Sequence, residues 1–211
     1  MILYDYFRSS AGYRVRIALA LNGIVVERRP VHLLRGGGAQ HRPEYLARNP
    51  QGLVPALELD SGEVLTQSLA IIDYLDALAP EPRLVPRDPV LAAKSRAIAL
   101  AIACDIHPLV NLRVGAKLAA AFAATPETID AWRRHWMLTG LEAVERMVAP
   151  GPFCTGAVPT LADLCLVPQL FAARRVATPL DHLPRLLAIE AACLGLEAFQ
   201  VAHPARQSDA E

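Results

Sequence analysis

Apolar positions change their spacing along this chain of 211 residues, and each change predicts an element. "ILYDYF", residues 2–7, is rich in β-formers and predicts a strand. A helix is predicted from about Ser10 to Asn22, with Gly23 standing where a left-handed C-terminal cap falls. "IVVERRPVHLL" predicts a second strand, edged or interrupted by Pro30 because proline removes a ladder donor. "GGGAQHRPEYLARNP" reads as a glycine-rich loop and a short helix; "LVPALEL" and "EVLTQ" read as strands joined by the turn "DSG". "SLAIIDYLDAL" repeats apolar residues at helical spacing, with Ser68 expected as its N-cap. The order over 1–80 is therefore βαβα and then ββα. Residues 81–89 lie in the proline-rich connector "APEPRLVPRDP", and 90–211 reads as alanine-rich helix with no β-rich run. The fold class is α/β plus all-α, a small mixed unit followed by a helical one. Within the latter, Thr160 and Asp163 of "PTLADLCL" form a capping-box pair, a structural start signal. Pro108 in "CDIHPLVNLRV" removes a backbone donor and predicts a kink.

Composition supports a packed globular chain, 53% hydrophobic and 20% charged. Lys+Arg and Asp+Glu balance at 21 each, so no global field favours nucleic acid or an anionic membrane, and any anion is held by a local cluster. Cys104, Cys154, Cys165 and Cys193 form no CxxC pair and no zinc-ligand spacing, so no metal is expected and the thiols read as buried and reduced. "MILYDYFRSS" lacks a signal-peptide pattern, and the apolar run "AIALAIAC" stops at Asp105, short of the ~20 residues of a membrane span. The expected location is the cytoplasm.

"FRSSAGYRVRIALAL" raises the first chemical question, because Arg8, Ser9 and Ser10 sit between a predicted strand and a predicted helix. Serine there caps a helix. It can equally present a hydroxyl and a helix N-terminus to a negatively charged ligand. A serine hydrolase is excluded as a working reading, since the chain has no GxSxG elbow.

The βαβ–ββα order with Val54-Pro55 before the hairpin resembles a thioredoxin-like domain, and the helical unit behind it extends the likeness to the cytosolic glutathione transferases. "FRSSAGYRVRIALALNGI", "NPQGLVPAL", "QSLAIIDYL", "CDIHPLVNLRV", "PTLADLCLVPQ" and "LEAFQVAHPARQ", in this order, resemble the zeta class over residues 2–207. The resemblance implies a glutathione cofactor in a thioredoxin-like domain of residues 1–80 and substrate binding and homodimerisation by the helical domain, 90–211. Ser9 and Ser10 are then the catalytic pair that holds the thiolate. Gln40, Val54, Gln67, Ser68, His107, Asn111 and Arg113 complete the glutathione contacts, with Pro55 cis. Arg8 and Arg175 bind the carboxylates of a small dicarboxylate substrate, while Arg174 is expected to point to solvent. A free thiol has a pKa near ~8.5. Lowering it by ~2 units takes about 2.7 kcal/mol, within reach of one or two charge-assisted hydrogen bonds of roughly 1.5–3 kcal/mol each.

The implied reaction is glutathione-dependent cis–trans isomerisation, of maleylacetoacetate to fumarylacetoacetate in aromatic amino acid catabolism. Maleylpyruvate isomerisation, conjugation of α-halo acids and a non-catalytic glutathione-binding role are the alternatives. Two positions depart from the class pattern. Ala11 replaces a frequent cysteine, so the serines must suffice, and Val110 replaces an amide, leaving Asn111 as the remaining one.

Overall fold

The computed structural model describes every residue except Pro80, so the first proline of the expected connector lies outside the described residues. The chain separates into two compact units, Met1–Leu84 with Gly195–Glu211, and Val85–Leu194. This corrects the expected division. The last segment packs with the N-terminal unit, where Tyr13 Oη donates to the Phe199 carbonyl and Arg16 Nε to the Ala202 carbonyl.

In the first unit, strand β1 (Ile2–Asp5) runs parallel to β2 (Glu27–Pro30) and antiparallel to β3 (Ala56–Glu58), which pairs with β4 (Val64–Thr66), giving the order β2-β1-β3-β4. The strands are shorter than the β-prone stretches because only paired residues count, and Pro30 ends an edge strand, where its missing N–H costs least. Helix α1 (Ser10–Leu21) connects the parallel pair. Gly23 ends it at φ 63°, and Ile24 N–H donates back to the Leu19 carbonyl at 2.9 Å, the expected left-handed cap. The glycine-rich stretch gives two 3-10 turns and the short α2 (Pro43–Leu46). Helix α3 (Ser68–Leu78) follows β4. Its cap residue is Gln67 rather than the expected Ser68, which is the first helical residue. Leu3, Leu57, Val15, Ile17, Ile71, Ile72 and Leu75 are fully buried at the centre of this unit.

The second unit contains α4 (Pro89–Leu100), α5 (Leu112–Phe122), α6 (Pro126–Met147), α7 (Leu161–Arg174) and α8 (Pro184–Leu194); α9 (Glu197–Val201) belongs to the returning segment. Helix α7 is buried on nearly every side, as its almost uniformly apolar sequence requires. Its start is the expected capping box: Thr160 N–H donates to Asp163 Oδ2 at 2.8 Å, and Cys154 N–H donates to Oδ1 at 2.8 Å. Burial raises the Asp163 pKa against the pull of those donors, and it raises the thiols of Cys154 and Cys193 as well. Cys154, Cys165 and Cys193 are buried; Cys104 is exposed, against expectation, because it falls on the outer side of a π-helical turn.

That turn, Ala101–Ile106, and a 3-10 turn, His107–Val110, separate α4 from α5, so Pro108 does interrupt the helix. Pro89–Phe122 contains an 18-residue window with a mean hydropathy of 1.5, long and apolar enough to cross a membrane by length and composition only, against the expectation that no run approaches that size. The stretch is not one continuous helix, since Asn111 leaves helical geometry at ψ 153°.

Candidate glutathione site

The site begins where β1 ends. Ser9 N–H donates to the Tyr6 carbonyl at 2.8 Å, closing a turn through Phe7 and Arg8. Ser9 caps α1: its Oγ accepts from Gly12 N–H at 3.0 Å. An oxygen used as acceptor keeps its own proton for donation, so capping and thiolate binding are compatible in one hydroxyl. Ser10, the first helical residue, is buried. Gly12 sits at a close approach, since a Cβ there would lie 3.2 Å from both Asp5 Cβ and Oδ2.

A buried ion cluster holds the turn from below. Asp5, fully buried, takes Arg16 Nη1 at 2.5 Å on one oxygen and Arg28 Nη2 at 2.5 Å on the other. Arg16 Nη2 donates to the Phe7 carbonyl at 2.9 Å, and Asp209 Oδ2 accepts from Phe7 N–H at 3.0 Å. Burial lowers the Arg16 pKa despite Asp5, as expected for a guanidinium taken out of water. The partly exposed Arg8 guanidinium lies 4.8 Å from the Phe7 ring centroid, over its face.

The other predicted residues of this unit are linked in sequence through contacts. Gln40 is buried rather than a solvated loop residue; its Nε2 donates to the Leu33 carbonyl at 3.3 Å, and its buried Oε1 has no partner. Gly38, at φ 91°, makes room for it, because a Cβ there would lie 2.5 Å from Gln40 Nε2. Gly52 packs on the Gln40 carbonyl. Tyr45 Oη and Asn49 Nδ2 both donate to the Leu53 carbonyl, at 2.6 and 2.7 Å, which fixes the backbone entering Val54. Burial raises the Tyr45 pKa, keeping its phenol a donor. The Val54-Pro55 bond is cis as expected, and Val54 lies just outside the β1–β3 ladder, which starts at Ala56. Gln51 Oε1 accepts from Gln67 Nε2 at 2.7 Å. Gln67 holds φ 69°, an uncommon conformation for a residue with a side chain and one that concentrates at ligand sites. Ser68 Oγ accepts from Arg14 Nη1 at 3.3 Å. Contacts thus lead from Gln40 through Val54, Gln67 and Ser68 back to α1.

His107, Asn111, Arg113 and Arg175 belong to the second unit. His107 opens the 3-10 turn, whose Leu109 carbonyl is held by Trp132 Nε1 at 2.8 Å. Asn111 caps α5, its Oδ1 accepting from Arg113 N–H at 3.1 Å; the Arg113 side chain is exposed. Arg175 follows α7 and is exposed. Arg174 does not point freely to solvent: it forks onto the Glu190 carboxylate, with both contacts at 2.5 Å. Its half-exposed stem reads as surface in sequence, while Glu190 sixteen positions on is buried.

Sequence reasoning passed over Tyr45, Asn49 and Arg14. Tyr45 carries no motif, and Asn49 opens the stretch "NPQGLVPAL" without a chemical signal of its own. Arg14 stands four residues after Ser10, a helical spacing that puts both on one face of α1.

A four-stranded mixed sheet ending in two helix N-termini, with a separate all-helical unit, defines the class: a thioredoxin-like domain joined to a helical domain. The family models of the N-terminal and C-terminal domains of glutathione S-transferase match residues 3–83 and 116–193. The chain belongs to the glutathione S-transferase family. It is 46% identical to the maleylacetoacetate isomerase of Pseudomonas aeruginosa over 99% of this chain and 98% of that one. The holo structure of a maleylpyruvate isomerase, described as a bacterial zeta-class glutathione S-transferase, superposes with a TM-score of 0.95 at 41% identity over 100% of both chains. The maleylacetoacetate isomerase of Anaeromyxobacter dehalogenans, with dicarboxyethyl glutathione and citrate bound in its active site, superposes at 0.87 with 40% identity, over 99% of this chain and 96% of that one.

The residues present fit glutathione. An anionic peptide needs donors and a strand-like backbone partner. This unit offers the N-termini of α1 and α3, the Val54 peptide beyond the ladder, buried donors without partners on Arg14, and on Gln40 Oε1 an acceptor for a peptide N–H.

Proposed function

We propose that this protein is a glutathione-dependent cis–trans isomerase of maleyl keto-diacids that converts maleylacetoacetate to fumarylacetoacetate in tyrosine and phenylalanine breakdown. Ser9 carries the reading: its oxygen is engaged by Gly12 N–H, so its proton is directed away from the helix and free for a sulfur anion. When bound, glutathione supplies the sulfur whose reversible addition lets the cis double bond rotate, and it is returned unchanged. Ser9 and Ser10 hold the sulfur as thiolate at the positive end of α1. Val54 pairs with the peptide backbone of the cofactor, Gln67 and Ser68 take its γ-glutamyl end at the N-terminus of α3, and Gln40, His107, Asn111 and Arg113 complete its contacts. Arg8 and Arg175 grip the two substrate carboxylates, for which a guanidinium fork is suited.

Maleylpyruvate is the second substrate considered, favoured by the close superposition on an isomerase of that acid. The protein is read as a cytoplasmic homodimer assembled through the helical domain. Val90, Leu91 and Leu100, exposed on or at the end of α4, support that reading. Incubating the purified protein with maleylacetoacetate and with maleylpyruvate, each with and without glutathione, tests the proposal. Trans product with glutathione conserved is expected. Stoichiometric loss of glutathione would make the protein a conjugating transferase, and no turnover would leave only binding.

A further inference from the structure

Arg14 is the largest fully buried side chain of the protein, 1% exposed, yet no carboxylate among the described residues forms an ion pair with it. Its single described hydrogen bond runs from Nη1 to Ser68 Oγ at 3.3 Å; Nε and Nη2 are buried without partners. Arg16, two residues on, shows the contrast. It is nearly as buried, but Asp5 neutralises it and two main-chain carbonyls take its other donors. A buried cation without a counter-anion is costly, and such groups in native proteins are normally paired. The arrangement therefore asks for an anion supplied from outside the chain.

Its place limits which anion. Arg14 lies on the face of α1 that carries Ser10, and it reaches the first residue of α3, an 11-residue helix. Because Arg14 donates to Ser68 Oγ, the Ser68 hydroxyl proton is turned away from Arg14 and strengthened as a donor by the cation behind it. A carboxylate at the N-terminus of α3 then meets a hydroxyl, free main-chain N–H groups and a buried positive charge along one line. We propose that Arg14 is a positioning residue for glutathione: acting through Ser68, it makes the γ-glutamyl α-carboxylate the counter-anion of a cation that the protein leaves unpaired. The inference rests on the glutathione reading above and adds a residue to it.

The test is calorimetric titration of the full-length protein with glutathione and with the analogue in which γ-aminobutyryl replaces γ-glutamyl, which lacks only that carboxylate. The ratio of the two affinities is the readout, paired with thermal unfolding of the free protein. In Arg14→Met the preference for glutathione is expected to fall by about tenfold, ~1.4 kcal/mol. The free variant is expected to unfold at the parent's temperature or above it, since an unpaired buried charge has been removed. A purely structural arginine gives the opposite pair of results, a lower unfolding temperature and an unchanged ratio, and would overturn the inference. So would an unchanged ratio with a raised thiol pKa in the complex, which would assign the charge to the sulfur. Should Arg14→Met not fold, Ser68→Ala and Arg14→Lys decide: the first is expected to lose the preference and the second to keep most of it, and the reverse order refutes the relay. A parent protein that binds no glutathione at all would instead overturn the glutathione reading itself.

Discussion

Replacing Ser9 by glycine separates its capping of α1 from the thiolate contact proposed for the same hydroxyl. Its oxygen caps α1 through Gly12 N–H at 3.0 Å, and its proton is assigned to the thiolate. Glycine is itself a tolerated cap residue, so the capping loss is only a few tenths of a kcal/mol, compared with ~1 kcal/mol for alanine. The backbone at Ser9, φ −66° and ψ 118°, is ordinary extended geometry that glycine adopts without strain. The sulfur loses one charge-assisted hydrogen bond, worth roughly 1.5–3 kcal/mol. At 1.36 kcal/mol per unit this raises the thiol pKa of bound glutathione by about 1–2 units. If the parent holds the thiol near ~6.5, two units below a free thiol, the thiolate fraction at pH 7 falls from about 75% to between about 25% and 3%. Ultraviolet titration of the thiolate in the complex measures the pKa directly. The acid limb of kcat/KM should move by the same amount, because both report the same proton. A parent-like titration in Ser9→Gly, with Ser10→Ala equally silent, would refute the reasoning and leave Ser9 as a cap alone.

Three other outcomes follow from the geometry. Asp5→Ala removes the partner of a buried guanidinium and is expected to cost ~3–5 kcal/mol, read from the denaturant midpoint; a loss below ~1 kcal/mol would mean that water reaches Arg16. Arg175→Lys keeps the charge but loses the fork, and should raise KM for the diacid by roughly tenfold while glutathione affinity holds, a difference of ~1.4 kcal/mol; unchanged kinetics would remove Arg175 from the site. Sedimentation at micromolar concentration should show a species of twice the 22.8 kDa chain mass, and a monomer alone would end the dimer reading.

What was legible in the sequence was local. Glycine at Gly23, the "DSG" turn and the apolar spacing of 68–78 each act over a few residues, and the structure ends or starts an element at each of them. The capping box at Thr160 and Asp163 is likewise a signal confined to four residues. The return of Gly195–Glu211 to the first unit was hidden because its anchors are long-range: Tyr13 and Arg16 meet carbonyls 186 positions away. A short amphipathic helix such as α9 carries no mark of which unit will bury it. Arg14 and Arg16 were hidden for a related reason. An arginine on a helix ordinarily buries its stem and keeps its head in water, so two buried arginines on α1 cannot be told in advance from a solvated face.

Arg16 and Arg28 show how the Ser9 turn can be held ready for the proposed thiolate contact without the cysteine that Ala11 replaces. A hydroxyl lowers a thiol pKa only if it is already aimed when the sulfur arrives, since otherwise ordering it consumes the gain. The turn is fixed at three points: Ser9 N–H on Tyr6, Arg16 on the Phe7 carbonyl and Asp209 on the Phe7 N–H. Arg28 ties the last two together, contacting Asp5 at 2.5 Å and Asp209 at 3.3 Å. Such an ion cluster is a poor source of net stability, because desolvation offsets most of its attraction. Its geometry is the benefit: Asp5 holds one arginine on each oxygen, and any placement of residues 5–9 that withdraws it leaves Arg16 buried without a carboxylate. The cost of burying Asp5 and Arg16 is therefore met in the folded chain, before any ligand binds, and on the proposed reading the serine hydroxyls need little reorganisation to meet a thiolate.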